Sequence, residues 1–398
     1  MQLAVAARQT APPVTRPHLR IVITAYVRFG NALAWHALEL ARGLHEAGHE
    51  IRFFCQRGSP LAGWSEGAPF PVNRDLNLNR ANPASVWNGL AALRRTLREF
   101  CPDVLNPHCP PGHSYLAMAR SLERMPIPLI RTVADPRSPN GNLLNARLHL
   151  RRTDGFLFTT SSSLRRYVTA FDLGTIPRKV ILPGFRSDDF VAGVERGGYR
   201  QRFGLGEDQL LIGTVARMSP EKGQEVLLHA LQSLDVEERR RVFCVLAGED
   251  CRERGRADLE RLARRLGVQS CVAFLGRLDD VRPLMAELDL AVVPSTRSEA
   301  VCRVALEYMS FGIPVIASEV NILPEVVRDG DNGWTFRNED ASALADCIRR
   351  ALLSPTERRA RGARGRQLVA DSLSLRAETL ATLDLFSEII ASHRRRQQ

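Results

Sequence analysis

Lysine is almost absent from this chain of 398 residues: Lys179 and Lys222 stand against 53 arginines. Aromatic residues make up only 6%, too few for the base-stacking platforms of single-strand nucleic-acid binders. No RNP-type aromatic run, helix-turn-helix spacing or zinc-finger pattern occurs, so no nucleic-acid partner is expected despite a pI near 9.8. The eight cysteines include no C-x-x-C pair, and no histidine is spaced to complete a zinc site. They read as small buried hydrophobes in a reducing cytosol. No apolar run approaches the ~18 residues of a membrane-spanning helix. The apolar opening Met1–Ala7 is cut off by Arg8 and has no basic segment before it, so a secretory leader is not expected.

What is present is an ordinary globular balance, 44% apolar and 25% charged. The length exceeds the ~250–300 residues at which one hydrophobic core stops growing, so two domains are expected. The net charge of +11 is unevenly placed: residues 1–190 carry 24 basic against 13 acidic side chains, and residues 191–398 carry 31 of each. An excess confined to one half points to an anionic partner for that half.

Residues 1–18 lack periodicity and read as a loose tail. From Leu19 the chain alternates short β-rich runs with helical segments. Strands are expected at 19–25, 50–55, 104–106, 129–133 and 155–159, and the apolar positions 33, 34, 37, 38, 41 and 44 mark one face of a helix that Gly48 ends. A second series places strands at 210–215, 242–247, 272–274, 290–293 and 314–317, with helices at 222–234, 256–266, 281–287 and 301–311. Such alternation builds parallel sheets with right-handed crossovers. The expected architecture is therefore α/β: two Rossmann-like domains, 19–185 and 186–372, facing a central cleft. Residues 373–398 are expected to form a helix that packs back on the first domain.

The densest chemistry opens the second domain, Gly213-Thr-Val-Ala-Arg217-Met-Ser-Pro-Glu-Lys222-Gly223. A buried strand ends there, and ligands of open α/β sheets sit at the carboxyl ends of strands. Arg supplies a planar fork and Lys a point charge, a suitable pair for a diphosphate. The spacing is not that of a Walker loop. Further on, Glu299 follows a strand and is expected to open a helix, with the N–H groups of Ala300, Val301 and Cys302 free for an anion or sugar hydroxyl. Glu307, two turns along, could accept both hydroxyls of a vicinal diol, or simply pair with Arg303 at i,i+4.

Together, Gly213…Arg217…Lys222-Gly223, the E-x7-E pair Glu299/Glu307, Gly312-Ile-Pro-Val-Ile-Ala-Ser and Pro324-Glu325-Val-Val…Gly330…Gly333 resemble the retaining glycosyltransferases of family 4. The resemblance covers about residues 20–390 and is most specific in the second domain. It implies the GT-B fold and a nucleotide-diphosphate-sugar donor as co-substrate, with no metal required. It also implies that Arg217 and Lys222 hold the diphosphate, Glu307 the ribose and Glu299 the transferred sugar, while the loop Gly276–Val281, which includes Leu278, borders the nucleobase.

In the first domain, Gly30-Asn31 falls where the family usually has a glycine pair beside the donor phosphate. Ala134 replaces the family's reaction-centre histidine, which makes Asp135 a candidate for that contact. His108 and His113 are expected to face the cleft, with His108 a candidate for acceptor contact. The segment Arg131-Thr…Asp135-Pro-Arg137…Asn140…Asn145 is similar to enzymes of lipopolysaccharide core assembly. Those similarities and the basic first domain imply an anionic, lipid-linked glycan acceptor met by a peripheral enzyme at the inner face of the cytoplasmic membrane. A nucleotide-sugar epimerase or hydrolase on the same scaffold is the alternative.

Overall fold

The structure, a computed structural model, describes residues 17–28, 30–76, 83–135, 137–251, 255–297 and 301–396. The first half contributes strands β1 (Arg20–Ala25), β2 (Glu50–Cys55), β3 (Val72–Asn73), β4 (Val104–Pro107), β5 (Ile130–Val133), β6 (Gly155–Phe158) and β7 (Arg178–Val180). They pair in the orders β3-β2-β1-β4 and β5-β6-β7, and a parallel bridge between Leu105 and Leu129 joins the two sheets. The second half contributes β8 (Leu210–Val215), β9 (Val242–Ala247), β10 (Val272–Gly276), β11 (Leu290–Val293), β12 (Val315–Ser318) and β13 (Gly333–Phe336), ordered β10-β9-β8-β11-β12-β13. Every strand pair in both halves is parallel.

These are the two α/β halves read from the alternation of strand and helix, the first of them divided into two sheets. The interior strands are near-continuous apolar runs because helices cover both faces: β1 is Arg-Ile-Val-Ile-Thr-Ala and β8 is Leu-Leu-Ile-Gly-Thr-Val. Three strands escaped the sequence reading for a common reason. β3 has two residues, β7 (Arg-Lys-Val) is a largely exposed edge, and β13 (Gly-Trp-Thr-Phe) opens on a glycine. None presents a run long enough for a period of two to register.

The order of the second sheet matters for function. From β8 the chain winds outward to β9 and β10, then returns to lay β11, β12 and β13 on the other side. The connections from β8 and from β11 therefore lead to opposite sides of the sheet, which makes the carboxyl ends of these two strands the topological switch point where such sheets bind ligands.

The C-terminal helix Leu375–Arg395 lies against the helix Ala32–Glu46, and Leu383, Leu385, Phe386, Ile389 and Ile390 join the same apolar cluster as Ile21, Ile23 and Leu157. At the centre of the contact His36 Nε2 lies 2.5 Å from Glu378 Oε1, both side chains sealed from solvent. The other carboxylate oxygen accepts the Gly184 backbone N–H at 2.7 Å, which fastens the segment linking the two sheets. Arg186, just beyond, pairs with Glu39 and Glu46 of the same helix. Glu378→Ala leaves a buried ring nitrogen and a buried N–H without their partner, so urea unfolding should show a loss of about 3 kcal/mol. A loss below about 1 kcal/mol would mean that the contact does not hold the helix in place.

One expectation fails in the first domain. His113 does not face the cleft: it is fully buried in the helix Pro110–Leu122, bonded to Thr153 Oγ1 at 2.8 Å and stacked on His149 at 5.1 Å. Among the described residues, no helix is long and apolar enough to cross a membrane.

Candidate active site

The turn after β8 is held from several sides. Met218 is buried, donates its N–H to Glu249 O at 2.9 Å and bridges to Asp250 beyond β9. Gln224 Nε2 donates to Arg217 O at 2.8 Å. Pro220–Lys222 forms a 3-10 turn, not the opening of the next helix; the α-helix starts at Gln224. Thr296, on the loop leaving β11, donates its N–H to Glu221 O at 2.9 Å and its hydroxyl to Pro220 O at 3.3 Å.

Gly223 closes the turn with φ +67°, and a Cβ there would sit 1.9 Å from Pro294 O. Only glycine combines that dihedral with so close an approach to a carbonyl. Arg217, exposed, and Lys222, half-buried, thus stand on one braced turn at the switch point. Tyr308 adds a further tie: its buried hydroxyl accepts the Val215 N–H at 2.7 Å and locks the helix Arg303–Ser310 to the end of β8.

That helix begins at Arg303, later than the sequence suggested. Cys302 precedes it in a left-handed conformation, φ 54°. Glu299 and Ala300 therefore lie ahead of the helix and fall outside the described residues. The side chains of Val301 and Cys302 are fully buried in the core, so any donor contact they make runs through the backbone. Glu307 is one turn into the helix, not two, and is buried. Its Oε1 accepts from Arg303 Nε at 2.7 Å, so the i,i+4 pair is present. Burial pushes the Glu307 carboxyl above its usual range, and the Arg303 guanidinium only partly opposes the shift. The Arg303 guanidinium also stacks 5.0 Å over the ring of Trp35 in the first domain. Arg303 thus links Glu307 to the first turn of the helix Ala32–Glu46.

Asn31 is committed to capping: its Oδ1 accepts the Ala34 N–H at 3.0 Å. Gly30 is tightly enclosed, with the Trp64 ring 3.1 Å from where a Cβ would sit. Leu278 is half-buried against the apolar cluster behind β10, in the loop that follows that strand.

Asp135, just past β5, is chelated by the Arg137 guanidinium at 2.6 Å and accepts the Arg137 N–H at 2.9 Å. Burial alone would raise its carboxyl, but these bonds and the charge of Arg131 outweigh it and hold the group ionised. His108 is nearly buried. The Asn106 amide donates to Ile130 O and Thr132 Oγ1, which turns its Oδ1 toward His108 Nε2 at 2.8 Å. The proton is therefore on Nε2, and Nδ1 keeps a lone pair that meets no partner among the described residues. Burial and the positive Arg131 nearby push the ring well below its ordinary range, so it is neutral at physiological pH.

Sequence reasoning assigned no role to Glu325, which reaches across the cleft. Its carboxylate accepts the Ser161 N–H at 2.9 Å and the Ser161 hydroxyl at 2.8 Å, at the start of the first-domain helix Ser161–Ala170. The Pro324-Glu325 motif was visible, but its partner 164 residues away was not. Among the described residues, no group of three His, Cys, Asp or Glu side chains could hold a metal ion.

Known proteins resemble this chain in sequence and in fold. Residues 196–368 match the family "Glycosyl transferases group 1", and residues 31–184 match "Glycosyl transferase 4-like domain". The D-inositol 3-phosphate glycosyltransferase of Geodermatophilus obscurus is 31% identical over 378 residues, covering 85% of this chain and 82% of that one. The GDP-mannose-dependent alpha-(1-6)-phosphatidylinositol monomannoside mannosyltransferase of Mycolicibacterium smegmatis is 29% identical, covering 61% and 65%. Among solved structures, Anabaena HepE in complex with UDP superposes with a TM-score of 0.79 at 20% identity, covering 93% of this chain and all of that one, which establishes the shared fold. The chain belongs to the group 1 glycosyltransferases of the family-4 kind: a GT-B enzyme that takes its glycosyl group from a nucleotide sugar.

Proposed function

We propose that this enzyme transfers a hexosyl group, with retention of anomeric configuration, to a phosphate-bearing, lipid-linked glycan acceptor in cell-envelope or lipopolysaccharide assembly. Its place is then the cytoplasmic side of the inner membrane. The observation that carries the donor half is the braced turn bearing Arg217 and Lys222 at the switch point of the second sheet. The acceptor half rests on the basic excess of residues 1–190. The two relatives support a phosphorylated acceptor, since the name of one specifies inositol 3-phosphate and that of the other a phosphatidylinositol mannoside.

In this reading the acceptor hydroxyl attacks from the face that the leaving group vacates, through an oxocarbenium-like state, and the departing phosphate oxygen takes its proton. Arg217 and Lys222 stabilise the charge that develops on the diphosphate. Glu307 receives the ribose hydroxyls once Arg303 yields, and Glu299 orients the transferred sugar. Ionised Asp135 stands in for the missing reaction-centre histidine. No metal takes part.

A thermal-shift series with UDP, GDP and ADP tests the donor half. One diphosphate should stabilise the protein by about 2.7 kcal/mol at a hundredfold excess over its Kd, following RT ln(1 + [L]/Kd). The Arg217→Ala variant should lose most of that gain. Equal stabilisation of variant and parent would refute the assignment.

A further inference from the structure

The helix Leu143–Arg151 is amphipathic in an unusual sense. Its inward side chain His149 is wedged among His113, Tyr167 and Phe171. Its outward side carries leucines: Leu143 is 84% exposed and Leu144 80%, more than any other large apolar side chain described. These leucines do not sit on a loose loop. Asn142 caps the helix by accepting the Asn145 N–H at 2.9 Å, and its own N–H donates to Asn140 Oδ1 at 3.1 Å. Asn145 Nδ2 returns to Asn140 O at 3.0 Å. The three asparagines hold the first turn rigid, with both leucines in solvent.

Arginines follow them along the helix. Residues 137–152 include Arg137, Arg147, Arg151 and Arg152 and no acidic residue. The patch continues onto a second helix: Arg152 Nη1 donates to Ser121 Oγ at 3.1 Å, and Arg120 Nη2 donates to Arg152 O at 2.7 Å. That helix, Pro110–Leu122, exposes Met118 and Leu122. Leaving large apolar side chains in water is unfavourable unless something covers them. Leucines at the tip of a helix that continues into arginines, whose apolar stems can lie along a hydrocarbon boundary while the guanidinium groups stay at headgroup level, match an interfacial helix on an anionic bilayer.

We infer that the tip of the helix Leu143–Arg151 inserts Leu143 and Leu144 into an anionic membrane surface, with Arg147, Arg151 and Arg152 on the lipid headgroups. The inference deepens the reading of a lipid-linked acceptor, on which it rests. The helix starts eight residues beyond Asp135, so docking there brings the acceptor side of the first domain toward the bilayer.

Co-sedimentation of the full chain with vesicles decides the matter. Vesicles of equal parts phosphatidylglycerol and phosphatidylcholine should pellet the protein at low salt, and pure phosphatidylcholine should not. The double substitution Leu143→Ser/Leu144→Ser should lower the partition coefficient at least about tenfold. Arg151→Ala/Arg152→Ala should lower it about as much and flatten its salt dependence. Donor-induced thermal stabilisation should be the same in all three proteins, which shows that they are folded and that the donor site is intact.

The inference is overturned if the parent ignores the anionic vesicles, or if the leucine variant binds them as well as the parent does. It is also overturned if the parent is a dimer in solution that the leucine substitutions dissociate, because the patch would then be covered by a second copy. Loss of donor stabilisation in the parent would instead sink the transferase mechanism while leaving the vesicle result standing.

Discussion

Lys222→Ala should lower the rate of donor turnover on the order of a hundredfold, with the protein still folded. The ammonium sits on the Pro220–Lys222 turn, whose backbone is fixed by Thr296 and by the close approach of Gly223 to Pro294. A fixed charge-assisted donor aimed at a leaving group costs no reorganisation when the bond breaks. Removing one such donor raises a barrier by roughly 2–4 kcal/mol. Release of nucleoside diphosphate from the sugar nucleotide gives the rate. Lys179→Ala is the control, because the only other lysine of the chain lies exposed on the edge strand β7 and should leave the rate unchanged. If both variants turned over alike, Lys222 would be a surface cation and no more.

Gly223→Ala should be worse than its size suggests. Its added methyl would fall 1.9 Å from Pro294 O, so either the turn or the loop after β11 must move. Gly267 provides the calibration: it has the same φ of +67°, with nothing within 4 Å of where a Cβ would sit. Gly267→Ala bears the left-handed conformation alone, about 1 kcal/mol. Gly223→Ala adds the collision and should cost about 3 kcal/mol or more in urea unfolding. Because the movement also displaces Arg217 and Lys222, donor turnover should fall on the order of a hundredfold, as a misplacement of about 1 Å can cause. If the two alanine variants lost equal stability, the contact with Pro294 would not be shaping the turn.

Much of the second domain was legible because its chemistry lies where the chain changes period. Arg217 and Lys222 follow an apolar strand directly, and the strand order puts that exit at the crevice. The start of the helix after Glu299 was not legible. Ala-Val-Cys has the pattern of an apolar helical face, yet Cys302 is left-handed and Val301 and Cys302 turn into the core before the helix begins. Periodicity registers burial, and both conformations bury those side chains. His113 shows the same limit: a histidine near a strand end looks like a cleft residue, but stacking on His149 and a bond to Thr153 make it part of the interior. Contacts between distant segments, such as Glu325 with Ser161 and Glu378 with His36 and Gly184, leave no trace in local pattern at all. The exposed Leu143 and Leu144 were hidden too, because no helix was expected over 143–151 and a pair of leucines does not declare its exposure in sequence.

The most direct test is a crystal structure of the enzyme with whichever of UDP, GDP and ADP stabilises it. Diphosphate oxygens should lie within about 3 Å of both the Arg217 guanidinium and the Lys222 ammonium, with the ribose hydroxyls at Glu307 in place of Arg303. A nucleotide bound elsewhere, with those two cations directed into solvent, would contradict this placement.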